Sequence, residues 1–407
     1  MSEQPSETRR DAFWRDLLGG SAMVSVLAVV VALLAGAVLI AIADEGTRTA
    51  AGYFFARPGD TFVAIGRAVG GAYGAMFRGA IIDPQATSAA RAIRPITETL
   101  VFSVPLILAG LGMTLSFRAG MFNIGGQGQL ILGAMFAAWA GFSLDLPVGL
   151  HLLVCVGAAI IGGGLWGFLP GILKARTGAN EVIVTIMLNN VAGLLIAFAL
   201  TTQAFRVPGS PYPKSPPVAD DALFPKLLGP GFRLDASFLL AIVMTVAVWW
   251  LVERSTFGFE LRTVGTNPAA ARTAGISVAK VTVLTLTLSG VLLGLAGSSQ
   301  VNGTQPVLTE GVAASYGFDA ITVALLGRSR PWGTFVAGLL FGAFKAGGFL
   351  MQSASGTPID IVLVVQSVIV LLIAAPPLVR WIFRLPTPGA GRRRPRRARR
   401  TLEEAGA

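Results

Sequence analysis

Asn123, Gln127 and Gln129 stand with four glycines in the stretch FRAGMFNIGGQGQL, residues 117–130, between two apolar segments. A second stretch, GANEVIVTIMLNNVAG at 178–193, adds Asn180, Glu181, Asn189 and Asn190, and Asp319, Lys345 and Gln366 follow further on. Carboxamides donate and accept hydrogen bonds without ionising, so the chemistry on offer is recognition of a polar solute or satisfaction of bare backbone. Unsatisfied polar groups beside hydrocarbon cost several kcal/mol each, and polar residues in apolar spans turn toward the interior or a water-filled path. Glu181 and Asn189 are eight residues apart and share nearly one helical face, while Asn190 lies about 100° round. One of the two asparagines then lines a path and the other bonds a neighbouring helix. Carboxamides also join membrane helices to one another, so packing stands beside pathway lining as a reading. Lys345, near the end of its segment, is expected to snorkel.

Other chemistries are excluded by what is missing. No neighbourhood gathers paired carboxylates or a Ser-His-Asp set. A single cysteine, Cys155, and a single histidine, His151, argue against a disulfide framework and a metal centre. None of Lys174, Lys214, Lys226, Lys280 and Lys345 has the glycine before it and the Ser or Thr after it that a phosphate-binding loop needs. The chain is expected to be no enzyme and to bind no cofactor itself.

The elements that must position these residues are membrane helices. The 407 residues are 53% hydrophobic and 13% charged, with a mean hydropathy of +0.69, and spans of the ~20 apolar residues needed to cross a bilayer recur along the chain. We read an all-α polytopic bundle with segments at 21–43, 97–117, 127–143, 147–173, 182–202, 236–252, 281–299, 318–326, 332–351 and 359–375, which makes ten crossings, or nine and a re-entrant piece. The eighth is too short to span, so broken helices are expected near it. Residues 1–20 form an N-terminal segment, 21–376 the transmembrane domain and 377–407 a basic tail. Ala41-Ile42-Ala43 has the form of a signal-peptidase site, but the apolar run before it exceeds a typical h-region, so a retained helix is expected.

The net charge of +11 is distributed as the positive-inside rule asks when both termini are cytoplasmic. The arginine run of the tail then anchors the topology and attracts anionic lipid, and nucleic acid is not expected as a partner. Two loops fall outside, about 44–96 and 203–235. The first carries Phe62, Ile65, Val69, Tyr73, Met76 and Phe77 at helical spacing, fitting a helix on the membrane surface or packed on the bundle. The second is proline-rich and cannot be a long helix. It either covers the outer mouth, meets a partner or is a solvated connector. Inside, at about 253–280, Asn267 is expected to cap a short helix with Pro268 at its first position and Gly275 at its end. Such a helix docks into another protein or stiffens a connection.

PLILAGLGMTLSFRAGMFNIGGQGQLILGA, GANEVIVTIMLNNVA, STFGFELRTVGTNPAAARTAGI and YGFDAITVALLGRSRPWG, in that order over about 97–376, resemble the motifs of ABC importer permeases of the nucleoside and simple-sugar branch, relatives of the ribose and branched-chain amino-acid permeases. The resemblance implies a permease in the bacterial cytoplasmic membrane. Its partners would be a second permease, two cytoplasmic ATPases or one fused double ATPase carrying ATP and Mg, and an external substrate-binding lipoprotein. It makes 255–276 the segment that docks on the ATPase, with Gly258, Arg262, Gly265, Asn267, Pro268, Ala270 and Gly275 as its marked residues. The substrate pathway is placed at Phe122, Asn123, Gln127, Gln129, Asn180, Glu181, Asn189 and Asn190. Gln127 departs from the family pattern, which commonly carries an acid there. Nucleosides are the favoured solute, with simple sugars such as ribose next. An ATPase-independent secondary transporter or channel is the rival from another class. A faint echo between residues 126–141 and 332–348 fits a duplicated architecture.

Overall fold

The computed structural model describes residues 21–383 except 208, 211, 359, 376, 377, 380 and 381. The N-terminal segment expected over 1–20 and the arginine run of the tail lie outside the described residues. Helices form wherever the apolar runs were read. They are α1 (Ser21–Ala43), α2 (Glu45–Ala51), α3 (Pro58–Ala80), α4 (Ala89–Arg118), α5 (Gly126–Ser143), α6 (Leu150–Thr177), α7 (Glu181–Ala199), α8 (Ser237–Arg254), α9 (Thr256–Thr266), α10 (Pro268–Thr273), α11 (Val278–Ser299), α12 (Tyr316–Leu326), α13 (Pro331–Ser355) and α14 (Asp360–Ala374). Each of the ten expected segments has its helix, and the number of these that cross is only loosely fixed. Among the described residues 6 helices are long and apolar enough to cross a membrane, or up to 7 if the bent pair α1 and α2 is one span. The glycines and glutamines of α5 dilute its hydropathy, and α12, at 11 residues, reaches only about 16 Å, half a bilayer.

The described residues divide into two compact units, those within 1–37 and 364–407, and those within 38–363. In the first, Ala28, Leu372 and Val379 form a buried cluster with Leu27, Val31 and Val368 packed on it. Gln366 is also buried there, its Nε2 without a hydrogen-bond partner.

The second unit holds all the residues expected to line the pathway or to dock the ATPase. Its axis is α4, buried over most of its length despite Pro95 and Pro105 inside it. Beside it α6 crosses α11 backbone on backbone. A Cβ on Gly163 would overlap the Gly290 carbonyl, and one on Gly294 the Ala159 carbonyl. Small residues at such a crossing let helices gain van der Waals contact that lipid tails cannot supply.

Both long loops, 44–96 and 203–235, pack on this body. In α3, Ala72, Ala75 and Gly79 are buried, and Gly79 faces Gly347 and Leu350 of α13. The packed reading therefore holds for the small-residue side, while Phe62 and Phe77 of the apolar stripe stay exposed. The proline-rich loop is no solvated connector. Its strand β1 (Lys214–Pro217) pairs antiparallel with β2 (Val307–Thr309), and Val218 and Ala222 are buried against Ala140 and Cys155.

The α6–α11 crossing yields the first prediction. Gly163→Val is expected to lower stability by about 1–3 kcal/mol through overpacking. Gly157→Val, where a Cβ meets nothing within 4 Å, should be near neutral. Thermal unfolding of the two variants in detergent compares them.

Candidate functional site

The break between α4 and α5 is where the sequence placed its carboxamides. Helix α4 ends at Arg118 and α5 begins at Gly126, and Gly120 turns the chain with φ +70°. The freed backbone groups are taken by side chains. Asn123, fully buried, accepts from the Gly125 N–H at 2.9 Å and donates through Nδ2 to Gln129 Oε1 at 3.1 Å and Ser289 Oγ at 3.0 Å. Asn189 reaches across from α7. Its Nδ2 donates to the Ile124 carbonyl and its Oδ1 accepts from the Gly128 N–H, both at 2.8 Å. The Thr185 hydroxyl accepts from the Ile124 N–H at 3.3 Å.

Gln127 points the other way. Its Nε2 donates to the Ala314 carbonyl at 2.7 Å and its Oε1 accepts from the Gly317 N–H at 3.1 Å. The single carboxamide thus clasps the turn that opens α12, and two interrupted helices begin against each other. Beyond that turn, Asp319 Oδ2 lies 2.8 Å from Lys345 Nζ. Ser315 bridges the pair, donating to Asp319 at 2.7 Å and accepting from Lys345 at 3.2 Å, and Lys345 sits 4.9 Å from the Tyr316 ring centroid. Lys345 therefore does not snorkel. With side chains 16% and 17% exposed, the pair is held inside, because Asp319 one helix away offers a partner closer than the membrane surface.

The remaining predicted positions separate by exposure. Asn180 caps α7, accepting from the Val182 N–H at 2.9 Å, and Glu181 pairs with Lys174 at 2.5 Å. Asn190 is exposed and donates only to the Ile186 carbonyl of its own turn. Phe122 is 41% exposed, its ring against Phe117. So Asn123, Gln127, Gln129 and Asn189 have their polar atoms occupied by protein, Gln127 and Asn189 being half-buried, whereas Phe122 and Asn190 are exposed.

The capped helix expected on the inner side is present as α10. Asn267 Oδ1 accepts from the N–H groups of Ala269 and Ala270 at 3.0 and 3.1 Å, Pro268 opens the helix, and Gly275 has φ +80°. Around it all but Ala271 is exposed. A second helix, α9, precedes it, capped by Ser255, whose Oγ accepts from the Gly258 N–H at 2.9 Å. Gly258 packs its backbone on the Leu251 and Val252 carbonyls of α8.

At the far end of α9, Gly265 lies so close to the Arg118 carbonyl that a Cβ there would overlap it. Glu253 stands between Arg118, 3.6 Å away, and Arg262, 3.5 Å away, and Arg262 also donates to the Val252 carbonyl. Arg118 Nε donates to the Ser329 carbonyl at 2.7 Å, in the α12–α13 turn where Arg328 and Ser329 both take positive φ. The α9–α10 knob thus touches the α4 end at the last residue of the helix.

Sequence reasoning gave no role to Arg118 or Glu253 and missed the partners Ser289, Thr185 and Gly317. A glycine-marked turn beside an arginine was the one signal available for the Gly265 contact.

Two outcomes follow. Asn189→Leu strands the Gly128 N–H and the Ile124 carbonyl and is expected to cost about 2 kcal/mol or more of stability, while Asn190→Leu should be close to neutral. Lys345→Met leaves a buried carboxylate unpaired and is expected to cost about 3–5 kcal/mol, most of it regained in Lys345→Met with Asp319→Asn. Unfolding midpoints of the purified variants measure both.

Comparison with known proteins adds three relatives. The chain is 37% identical over 296 residues to the guanosine ABC transporter permease protein NupP of Bacillus subtilis, covering 71% of this chain and 83% of the relative. It is 35% identical over 287 residues to the glucose ABC transporter permease protein TsgB13 of Haloferax volcanii, covering 68% and 75%. It is 32% identical over 311 residues to the nucleoside ABC transporter permease protein NupB of Lactococcus lactis subsp. cremoris, covering 74% and 84%. No solved structure matches the chain. The family model described as the permease component of the branched-chain amino acid transport system matches residues 96–374, a stretch that takes in the carboxamide break, the α9–α10 knob and the ion pair, and the chain belongs to that family.

Proposed function

We propose that this chain is the membrane-spanning subunit of an ATP-driven importer of nucleosides. What supports the reading most is the contact of Gly265 with the Arg118 carbonyl, seen in a chain whose relatives include permeases named for guanosine and nucleosides. A short helix exposed at every residue but Ala271 needs something to push it, and the chain carries no phosphate-binding loop of its own.

In this reading the chain pairs with a second permease, and two ATPase subunits or one fused double ATPase, holding ATP and Mg, dock on α10. Both termini are cytoplasmic, the membrane is the bacterial plasma membrane, and an external lipoprotein delivers the solute. ATP-driven closure moves α10 and α9, Gly265 carries the displacement to Arg118, and the α4–α5 break absorbs it as a change in turn geometry. Arg118 passes part of it to the α12–α13 turn through Ser329. Asn123, Gln129 and Asn189 hold the break together, and Phe122, Gln127 and Asn190 face the route. Transport requires that the solute bind the outward- and inward-open states with different affinity.

Simple sugars are the second solute class, because a relative is named for glucose. The deciding measurement is uptake by proteoliposomes carrying the chain with its ATPases and binding lipoprotein. ATP-dependent uptake of guanosine in preference to glucose is expected. Ala270→Trp, on the exposed face of α10, should lower uptake by roughly tenfold, as a 1.4 kcal/mol interface defect would, with the unfolding midpoint unchanged. Uptake that persists without the ATPases would overturn the proposal.

A further inference from the structure

On the face that carries both long loops, α3, α4, α13 and Arg233 enclose a cleft of about 600 Å³. Its floor is aromatic. The rings of Phe102 and Phe349 stack with centroids 5.4 Å apart and planes 24° from parallel, yet Phe349 remains 53% exposed. The Arg233 guanidinium lies 5.9 Å from the Phe102 ring centroid and donates to Glu98 Oε2 at 2.9 Å. Glu98 Oε1 has no hydrogen-bond partner among the described residues. Arg91 and Arg94 line the rim, and the Arg94 guanidinium makes no ion pair among the described residues.

Three guanidinium and two carboxylate groups in one lining are foreign to lipid tails. An anion would draw on the arginines but would face Glu98 and leave the ring stack unused. A planar heteroaromatic ring uses every part. It extends the Phe102–Phe349 stack on the open side of Phe349, its N–H edge donates to Glu98, and its carbonyl and hydroxyl groups accept from the rim arginines.

We infer that this cleft is an entry site for the nucleobase of a nucleoside, received by stacking on Phe349 and by a hydrogen bond to Glu98. The inference rests on the importer reading and adds the residues that would tell a base from a sugar. Ala346 in the wall of the cleft follows Lys345, the partner of Asp319, along α13.

The test is photolabelling of the full chain in lipid nanodiscs with 8-azidoguanosine, the labelled peptides being identified by mass spectrometry. Label is expected within residues 91–102 and 346–353, displaced by guanosine but not by glucose or inorganic phosphate. Phe349→Leu should lower labelling by about tenfold, the loss of one stacking contact, and Phe349→Trp should retain it. Label elsewhere, equal displacement by glucose or phosphate, or indifference to Phe349→Leu would overturn the assignment. Uptake of guanosine in the same preparations keeps the two readings apart. ATP-driven uptake without label in the cleft sinks the entry site alone, and label in the cleft without ATP-driven uptake sinks the importer reading alone.

Discussion

Backbone amides and carbonyls released where a helix breaks inside a membrane have no water to turn to, and each must find a protein partner. Over residues 123–128 those partners are mostly carboxamides, with the Thr185 hydroxyl taking the Ile124 N–H. Asn189 serves one carbonyl and one N–H at once, Asn123 serves the Gly125 N–H, and Gln127 extends the same service to the turn before α12. An apolar residue at any of these positions would strand buried polar groups, so the break and the amides stand or fall together. The need for satisfaction thereby fixes α4, α5, α7 and α12 to one point, and explains why an otherwise greasy chain keeps asparagine and glutamine there.

The same unit contains a contrasting kind of joint. Where α6 crosses α11, backbone lies against backbone and the energy is dispersion, which falls away with a shift of a few tenths of an ångström. Such a seam resists sliding. Hydrogen bonds at a non-helical turn can exchange partners with less loss, since the donors and acceptors stay in reach of several alternatives. A push on α9 therefore meets a stiff body on one side and a yielding turn on the other. Gly265 is seated on the carbonyl of Arg118, at the boundary between the two.

Much of this was legible from residue types. Apolar runs located the helices, because length and hydropathy are set by the bilayer rather than by tertiary context. The α10 helix was readable in full from Asn267, Pro268 and Gly275, since capping is local chemistry. The split between Asn189 and Asn190 followed from helical geometry, but which of the two would bond a neighbour did not, because that depends on where α5 sits. Lys345 was misjudged for a related reason. A lysine near a helix end snorkels unless a carboxylate stands within reach, and the distance to Asp319 spans 26 residues of chain. Nothing local announced that Glu253 and Arg118 meet, or that a second capped helix precedes α10.

The Asp319–Lys345 pair raises a question that stability does not answer. Two charges withdrawn from water recover their desolvation cost only with good geometry and further hydrogen bonds, and apolar residues of like volume often serve as well or better. Here the geometry is good, with Ser315 bonded to both partners and Tyr316 beneath the ammonium. Yet the pair ties α12, whose first turn is held by Gln127, to α13, whose C-terminal half walls the charged cleft. Apolar packing would join the two helices without direction. An ion pair joins them at one register and, once parted, leaves both groups seeking polar partners. That property suits a junction that must hold in one state and release in another as a polar solute passes. It accounts for charge at a place where hydrocarbon would have sufficed to hold two helices together.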